Sequence, residues 1–238
     1  MTPNRKVLDL SHYNTVTSWQ QVKDAGIIGI IHKASEGASY VDDHYSAAKS
    51  EALAHGLLWG AYHFGNGSNV DAQLDNFLRV AGVDDQTLYA LDWEDDPHGN
   101  TMGIPLVTWF LANIELRTGR KGVLYSGNTV KTALRSTDSK FFGSHRLWLA
   151  QYSSAPVAQA SWDSIWLWQY SDGVNGPQPH GCPGVTGDVD TNSWSGTDQE
   201  LKDQWAGLPT SKIPLVTVNI SADQPVRIRL VTGNNVTT

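Results

Sequence analysis

Short runs of apolar and β-branched residues recur along the chain with stretches of helical periodicity between them, the pattern expected of parallel strands linked by crossovers. The runs predict eight strands, at Lys6–Leu10, Ile27–Ala34, Leu58–Phe64, Leu88–Glu94, Gly122–Ser126, Arg146–Tyr152, Ser164–Tyr170 and Val185–Asn192. Several are near-continuously hydrophobic rather than alternating, which fits strands covered on both faces. Helices are predicted from Asp42 to Ala54 ahead of Gly56, from Val70 to Ala81 between Asn69 and Gly82, and from Pro105 to Thr118 with Gly119 as the C-terminal cap. Shorter ones are expected near Ser18–Ala25 and Thr129–Leu134.

Five helical crossovers followed by three strands with little helix between them read as an α/β barrel with a degenerate second half, TIM-like and of (β/α)5(β)3 type. An open doubly wound sheet is the alternative, but it wants helices throughout and a glycine-rich first turn, and neither is present. The barrel is expected over residues 1–205. Beyond it the composition shifts, because residues 206–238 carry Lys212, Arg227 and Arg229 against Asp223 alone, a formal +2 that leaves −9 on the rest. Ile213–Ser221 and Val226–Thr232 read as a C-terminal hairpin. A lone hairpin is only marginally stable, so it is expected to pack on the barrel, to make an oligomer contact, or to serve binding.

A single cysteine, Cys182, excludes an intrachain disulfide and a cysteine-rich zinc cluster. The net charge of −7 and a pI near 5.5 argue against a nucleic-acid partner. No apolar run approaches the ~20 residues of a membrane span, so no membrane insertion is expected. The opening Met1-Thr2-Pro3-Asn4-Arg5-Lys6 leads into a strand-like segment rather than a signal core, which places the chain as given in the cytoplasm. Ten Trp and eight Tyr against two Met supply many rings with apolar faces and polar edges, a type that commonly stacks on sugars.

The strongest local signal is Leu88-Tyr89-Ala90-Leu91-Asp92-Trp93-Glu94, a hydrophobic strand ending in two carboxylates. Strand periodicity puts Asp92 and Glu94 on one face, and in a parallel barrel the C-terminal strand ends form the active-site mouth. Two close carboxylates cannot both ionise freely, so one pKa should rise toward a useful general-acid value. Asp9 lies deep in the first strand, and Asp188 and Asp190 share a face of the last, which closes next to it. The four acids Asp9, Asp92, Glu94 and Asp190 should therefore ring one tryptophan-lined cleft. Such a cluster suits glycoside hydrolysis or divalent-metal binding. Solvated acids at strand ends are the plain alternative.

No His-Glu-x-x-His spacing occurs among the eight histidines, so no zinc site and no cofactor is expected. His63 is the histidine best placed for the mouth, with a structural role the better expectation. Neither a Gly-x-Ser-x-Gly elbow nor a Walker-type loop is present.

Taken in order, Asp9-Leu10-Ser11, Lys33-Ala34-Ser35-Glu36-Gly37, Ala61-Tyr62-His63-Phe64, Leu91-Asp92-Trp93-Glu94, Leu124-Tyr125-Ser126, Leu147-Trp148-Leu149-Ala150-Gln151-Tyr152, Trp168-Gln169-Tyr170 and Asp190-x-Asn192 resemble the family 25 glycoside hydrolases, the Chalaropsis-type lysozymes that include many phage endolysins. The resemblance covers roughly Val7 to Trp194. It implies a (β/α)5(β)3 barrel that cleaves the β-1,4 bond between N-acetylmuramic acid and N-acetylglucosamine in bacterial peptidoglycan. By position Glu94 matches the general acid, Asp92 its partner, and Asp9 and Asp190 the other two acids. Tyr62, Tyr125, Trp148 and Gln169 would then line the sugar groove, and Phe64, Trp93, Lys33 and Asp188 are further candidate substrate contacts.

Asp188 and the tail after Trp205 depart from the family pattern. The resemblance further suggests an endolysin held in the host cytoplasm until lysis, with Arg227 and Arg229 of the tail offsetting the acidic barrel near an anionic wall. A barrel that grips glycan without cutting it is the alternative function.

Overall fold

The computed structural model describes residues 3–207. Eight strands close a barrel: β1 (Val7–Leu10), β2 (Gly29–Glu36), β3 (Leu58–Phe64), β4 (Leu88–Asp92), β5 (Val123–Ser126), β6 (Arg146–Ala150), β7 (Leu167–Ser171) and β8 (Asp190–Ser193). Neighbours from β1 through β7 run parallel in sequence order. The last strand, β8, is antiparallel to both β7 and β1 and completes the ring. Helices α1 (Trp19–Asp24), α2 (Tyr45–Ala54), α3 (Val70–Ala81), α4 (Ile104–Thr118), and then α5 (Asn128–Leu134) with α6 (Lys140–Gly143), fill the first five crossovers. Neither the β6–β7 nor the β7–β8 connection carries a helix.

Local chemistry explains the helices. The Asn69 side chain accepts from the Ala72 amide and starts α3, whose Leu74, Phe77, Leu78 and Ala81 are buried before Gly82 turns the chain at positive φ. Pro105 sits in the first turn of α4, and Gly119, left-handed, closes it. Two elements have weaker sequence signals. The four-residue α6 follows the cap Ser139, and α7 (Asp198–Gln204) opens on a Thr197–Glu200 capping box.

Strand alternation separates two apolar layers. Val7, Ile31, Leu88, Ala90, Val123, Tyr125, Trp148 and Leu167 pack inside the barrel, whereas Leu8, Leu10, Ile30, Tyr89, Leu91, Leu124, Leu147 and Leu149 pack outward with the helices. Trp205, just after α7, joins the inner layer. Its indole donates to the Trp59 carbonyl at 2.7 Å, and its ring fills the space where a Cβ on Gly29 would stand.

The expected last strand is split. Val185–Thr186 pairs instead with Thr15–Val16, Gly187 turns at φ +77°, and only Asp190 onward joins the barrel. Tyr40–Val41 adds a short antiparallel ribbon to the end of β2. The hairpin expected at 206–238 lies outside the described residues apart from Ala206 and Gly207. Among the described residues no helix is long and apolar enough to cross a membrane.

Candidate active site

Asp92 closes β4 pointing inward, and the extended chain continues to Glu94. Trp93 N donates to Tyr125 O at 2.9 Å and the Ser126 hydroxyl donates to Trp93 O at 2.6 Å, so the β4 exit stays stitched to β5. Trp93 therefore turns outward, and alternation brings Glu94 back over the mouth beside Asp92. Asp92 is buried, and its Oδ1 has no hydrogen-bond partner among the described residues. Burial, followed by the Glu94 charge, pushes its carboxyl well above the usual range. Glu94 is less enclosed. Burial, with Asp9 and Asp95 nearby, raises it to about 7.

Across the mouth, Asp9 of β1 stands opposite Asp190 of β8 in register. Because β8 runs backwards, its first residue lies at the C-terminal ends of the other strands. Asn192 Nδ2 donates to Asp9 Oδ2 at 2.7 Å, and Gln169 Nε2 donates to Asp9 Oδ1 and Oδ2 at 3.0 and 3.1 Å and to Asp190 Oδ2 at 3.3 Å. Gln169 Oε1 in turn accepts from the hydroxyls of Tyr125 at 2.9 Å and Tyr152 at 2.8 Å. The amide thus turns its oxygen to the two tyrosine hydroxyls and its nitrogen to the two carboxyls. Burial, and then the charge of Asp9, raises Asp190 to about 9, so at neutral pH this pair carries a proton on Asp190. Asp9 is itself raised by burial, although its hydrogen bonds favour the ionised form.

Lys33 faces the same interior. Its ammonium pairs with Glu36 at 2.6 Å, lies 5.3 Å from the ring centres of both Tyr40 and Phe64, and draws the Asp92 carboxyl downward, against the larger effect of burial. Tyr62, half-buried, packs edge-on to Trp148.

Several sequence expectations need correction. Trp93 does not line the groove: it is 1% exposed, donates to Met102 O and stacks on Phe142 in the helix layer. Trp148 is equally buried. It forms the floor, with its indole donating to Asn192 Oδ1 at 2.6 Å, so it supports an acid and offers no face to a sugar. Gln169, fully buried, likewise holds acids and has no exposed surface to line a groove. Asp188 precedes β8 in the exposed turn after Gly187, so strand alternation does not carry it to the face of Asp190. His63 takes the structural role expected of it, although it points away from the mouth, between Ser35 Oγ at 2.8 Å and Gln73 Oε1 at 3.2 Å, stacked on Phe110. Two residues given no role above, Tyr152 and Asn192, complete the network. Both stand in the quoted motifs, yet only the fold shows which partners they reach. Among the described residues no group of three or more His, Cys, Asp or Glu is arranged to hold a metal ion.

Comparison with known proteins agrees with this geometry. The profile of Glycosyl hydrolases family 25 matches residues 8–178. Lysozyme M1 of Streptomyces globisporus is 32% identical over 209 residues, 82% of this chain and 69% of that protein. The crystal structure of a bacterial lysozyme from Streptomyces coelicolor superposes with a TM-score of 0.75 at 31% identity, over 87% of this chain and 99% of the other. The CTP1L endolysin superposes at 0.66 with 25% identity, over 84% and 70% of the two chains.

Proposed function

This chain belongs to glycosyl hydrolases family 25, and on that premise we propose that Glu94 is the acid that protonates the glycosidic oxygen as the bond breaks. The enzyme is a peptidoglycan hydrolase, a muramidase, cutting the β-1,4 bond between N-acetylmuramic acid and N-acetylglucosamine. One observation supports the assignment of Glu94 above the others. Standing beside Asp92 at the exit of β4, it has its proton poised near neutrality, at about 7, whereas Asp190 across the mouth is raised to about 9. Asp92, two residues back on the same face, supports the positive sugar centre or the group that attacks it. Asp9, kept toward its ionised form by Asn192 and Gln169, supplies negative charge from the opposite wall.

The test is digestion of purified peptidoglycan by the wild type and Glu94→Gln, with new reducing ends identified by mass spectrometry after borohydride reduction. Reduced muramic acid ends from the wild type alone are expected. Equal release by Glu94→Gln removes Glu94 from the role.

The likeness to an endolysin supports a finer reading, that the enzyme waits in the cytoplasm of a phage-infected cell and lyses the wall from inside. Fractionation of an expressing host tests it: activity recovered outside the membrane before lysis would count against it.

A further inference from the structure

We propose that Tyr13, packed at a tilt against the His12 ring beside Tyr40, is a saccharide platform at the barrel rim, an outer subsite for an N-acetylhexosamine ring of the strand being cut at Glu94. The inference rests on the muramidase reading and extends it outward from the acids.

Tyr13 follows β1 and Tyr40 follows β2, so both stand at the C-terminal rim. Tyr13 is 84% exposed, well above any other large apolar side chain among the described residues, and Tyr40 is 41% exposed. Their arrangement is built rather than loose. The His12 ring lies 4.0 Å from that of Tyr13 and 6.0 Å from that of Tyr40, whose hydroxyl is 3.1 Å from His12 Nδ1. Beneath them, buried Asp42 accepts from the His12 amide at 2.9 Å and from the His44 amide at 3.0 Å, and it holds His12 Nδ1 at 2.9 Å. Isolated exposed rings are ordinary. Here a buried carboxylate pins the base on which an exposed ring rests.

The cluster is also continuous with the acids. Lys33 lies equally close to Tyr40 and to Phe64, and Phe64 is the register partner of Asp92. A strip therefore runs from Asp92 through Phe64, Lys33 and Tyr40 to His12 and Tyr13. Glu36, Asp42 and Asp43 act electrostatically on Tyr40, which disfavours an acidic peptide stem there and suits a neutral sugar whose C–H face lies on the ring.

The test compares kcat/KM on peptidoglycan-derived oligomers of increasing length for the wild type, Tyr13→Ala and Tyr13→Trp. Because its side chain is so exposed, Tyr13 can be truncated with the fold kept, as a thermal melt verifies. The wild type is expected to favour the longer oligomers. That long-to-short ratio should fall about tenfold in Tyr13→Ala, through KM rather than kcat, and return in Tyr13→Trp. No length preference in the wild type, or an unchanged ratio in Tyr13→Ala, overturns the proposal. If the wild type cuts neither peptidoglycan nor oligomers, the muramidase reading itself falls; titration of the same oligomers into Glu94→Gln, with and without Tyr13→Ala, then still decides whether the platform binds.

Discussion

Asp9 and Asp190 face each other across the antiparallel β1–β8 seam that closes the barrel, and a single amide nitrogen, Gln169 Nε2, donates to both. Two carboxyls so placed cannot both be ionised, and the network sorts them: Asp9 takes the donors from Asn192 and Gln169, and Asp190 takes the proton.

That sorting has a measurable cost. A carboxyl raised from 3.8 to about 9 on folding stabilises the fold below pH 3.8, and this contribution is lost as pH climbs toward about 9. Asp190→Asn keeps a donor toward Asp9 and removes the titration. Its Tm at pH 8 should exceed that of the wild type by at least about 2–4 °C, the effect of about 1 kcal/mol in a chain of this size, with the difference vanishing near pH 4. Its turnover should also exceed that of Asp190→Ala, which offers Asp9 no donor. A thermal melt series across pH checks the first expectation and initial rates the second.

A general acid works only while protonated. With Glu94 at about 7, kcat/KM should fall above pH 7, approaching tenfold per unit. In Glu94→Gln the residual rate should be lower by about 10²–10⁴ and lack that alkaline limb. A pH–rate profile on soluble glycan fragments measures both, and an unshifted limb in the variant would assign it to another group.

His63 gives the opposite stability signature. Buried and neutral, it receives a hydrogen bond from Ser35 at Nδ1 and donates from Nε2 to Gln73, and burial lowers it from 6.5 to about 3. Stability tied to a depressed histidine is present above pH 6.5 and is lost as pH falls toward about 3, because the unfolded chain takes up the proton first. His63→Gln should flatten the Tm profile across that window while leaving activity at pH 6 within about twofold. Asp42 and Asp84, both held low, contribute to acid unfolding in either protein, so the difference between the two profiles is the quantity to measure.

Trp205 plugs the barrel end opposite the acids. Its ring lies against Gly29 and its indole donates to Trp59 O. Trp205→Ala should destabilise the fold by about 3–5 kcal/mol, read from urea unfolding, without shifting the pH–rate profile of the protein that remains folded.

The barrel was legible because its strands are continuous apolar runs and two of its helices carry clear punctuation: Asn69 and Gly82 around α3, and Gly119 after α4. Asp92 and Glu94 were legible for the same reason, since period two needs no tertiary information. The errors arose where orientation depends on neighbours. Trp148, Gln169 and Asn192 look alike in sequence as groove-lining or motif residues, yet the curvature of a closed barrel buries all three beneath the acids. Asp188 was misplaced because a glycine at positive φ interrupts what reads as one strand. The direction of β8 left no mark in composition. Only closure shows that its first residue, rather than its last, belongs at the mouth.

The seam between β1 and β8 also fixes when the site comes into being during synthesis. Asn192 holds Asp9 across 183 positions of chain, so a ribosome must make nearly the whole barrel before the first acid meets its partners. Truncated or nascent chains carry Asp92 and Glu94 but lack the opposite wall, and the slow, long-range closure of the ring is the same event that completes the catalytic centre.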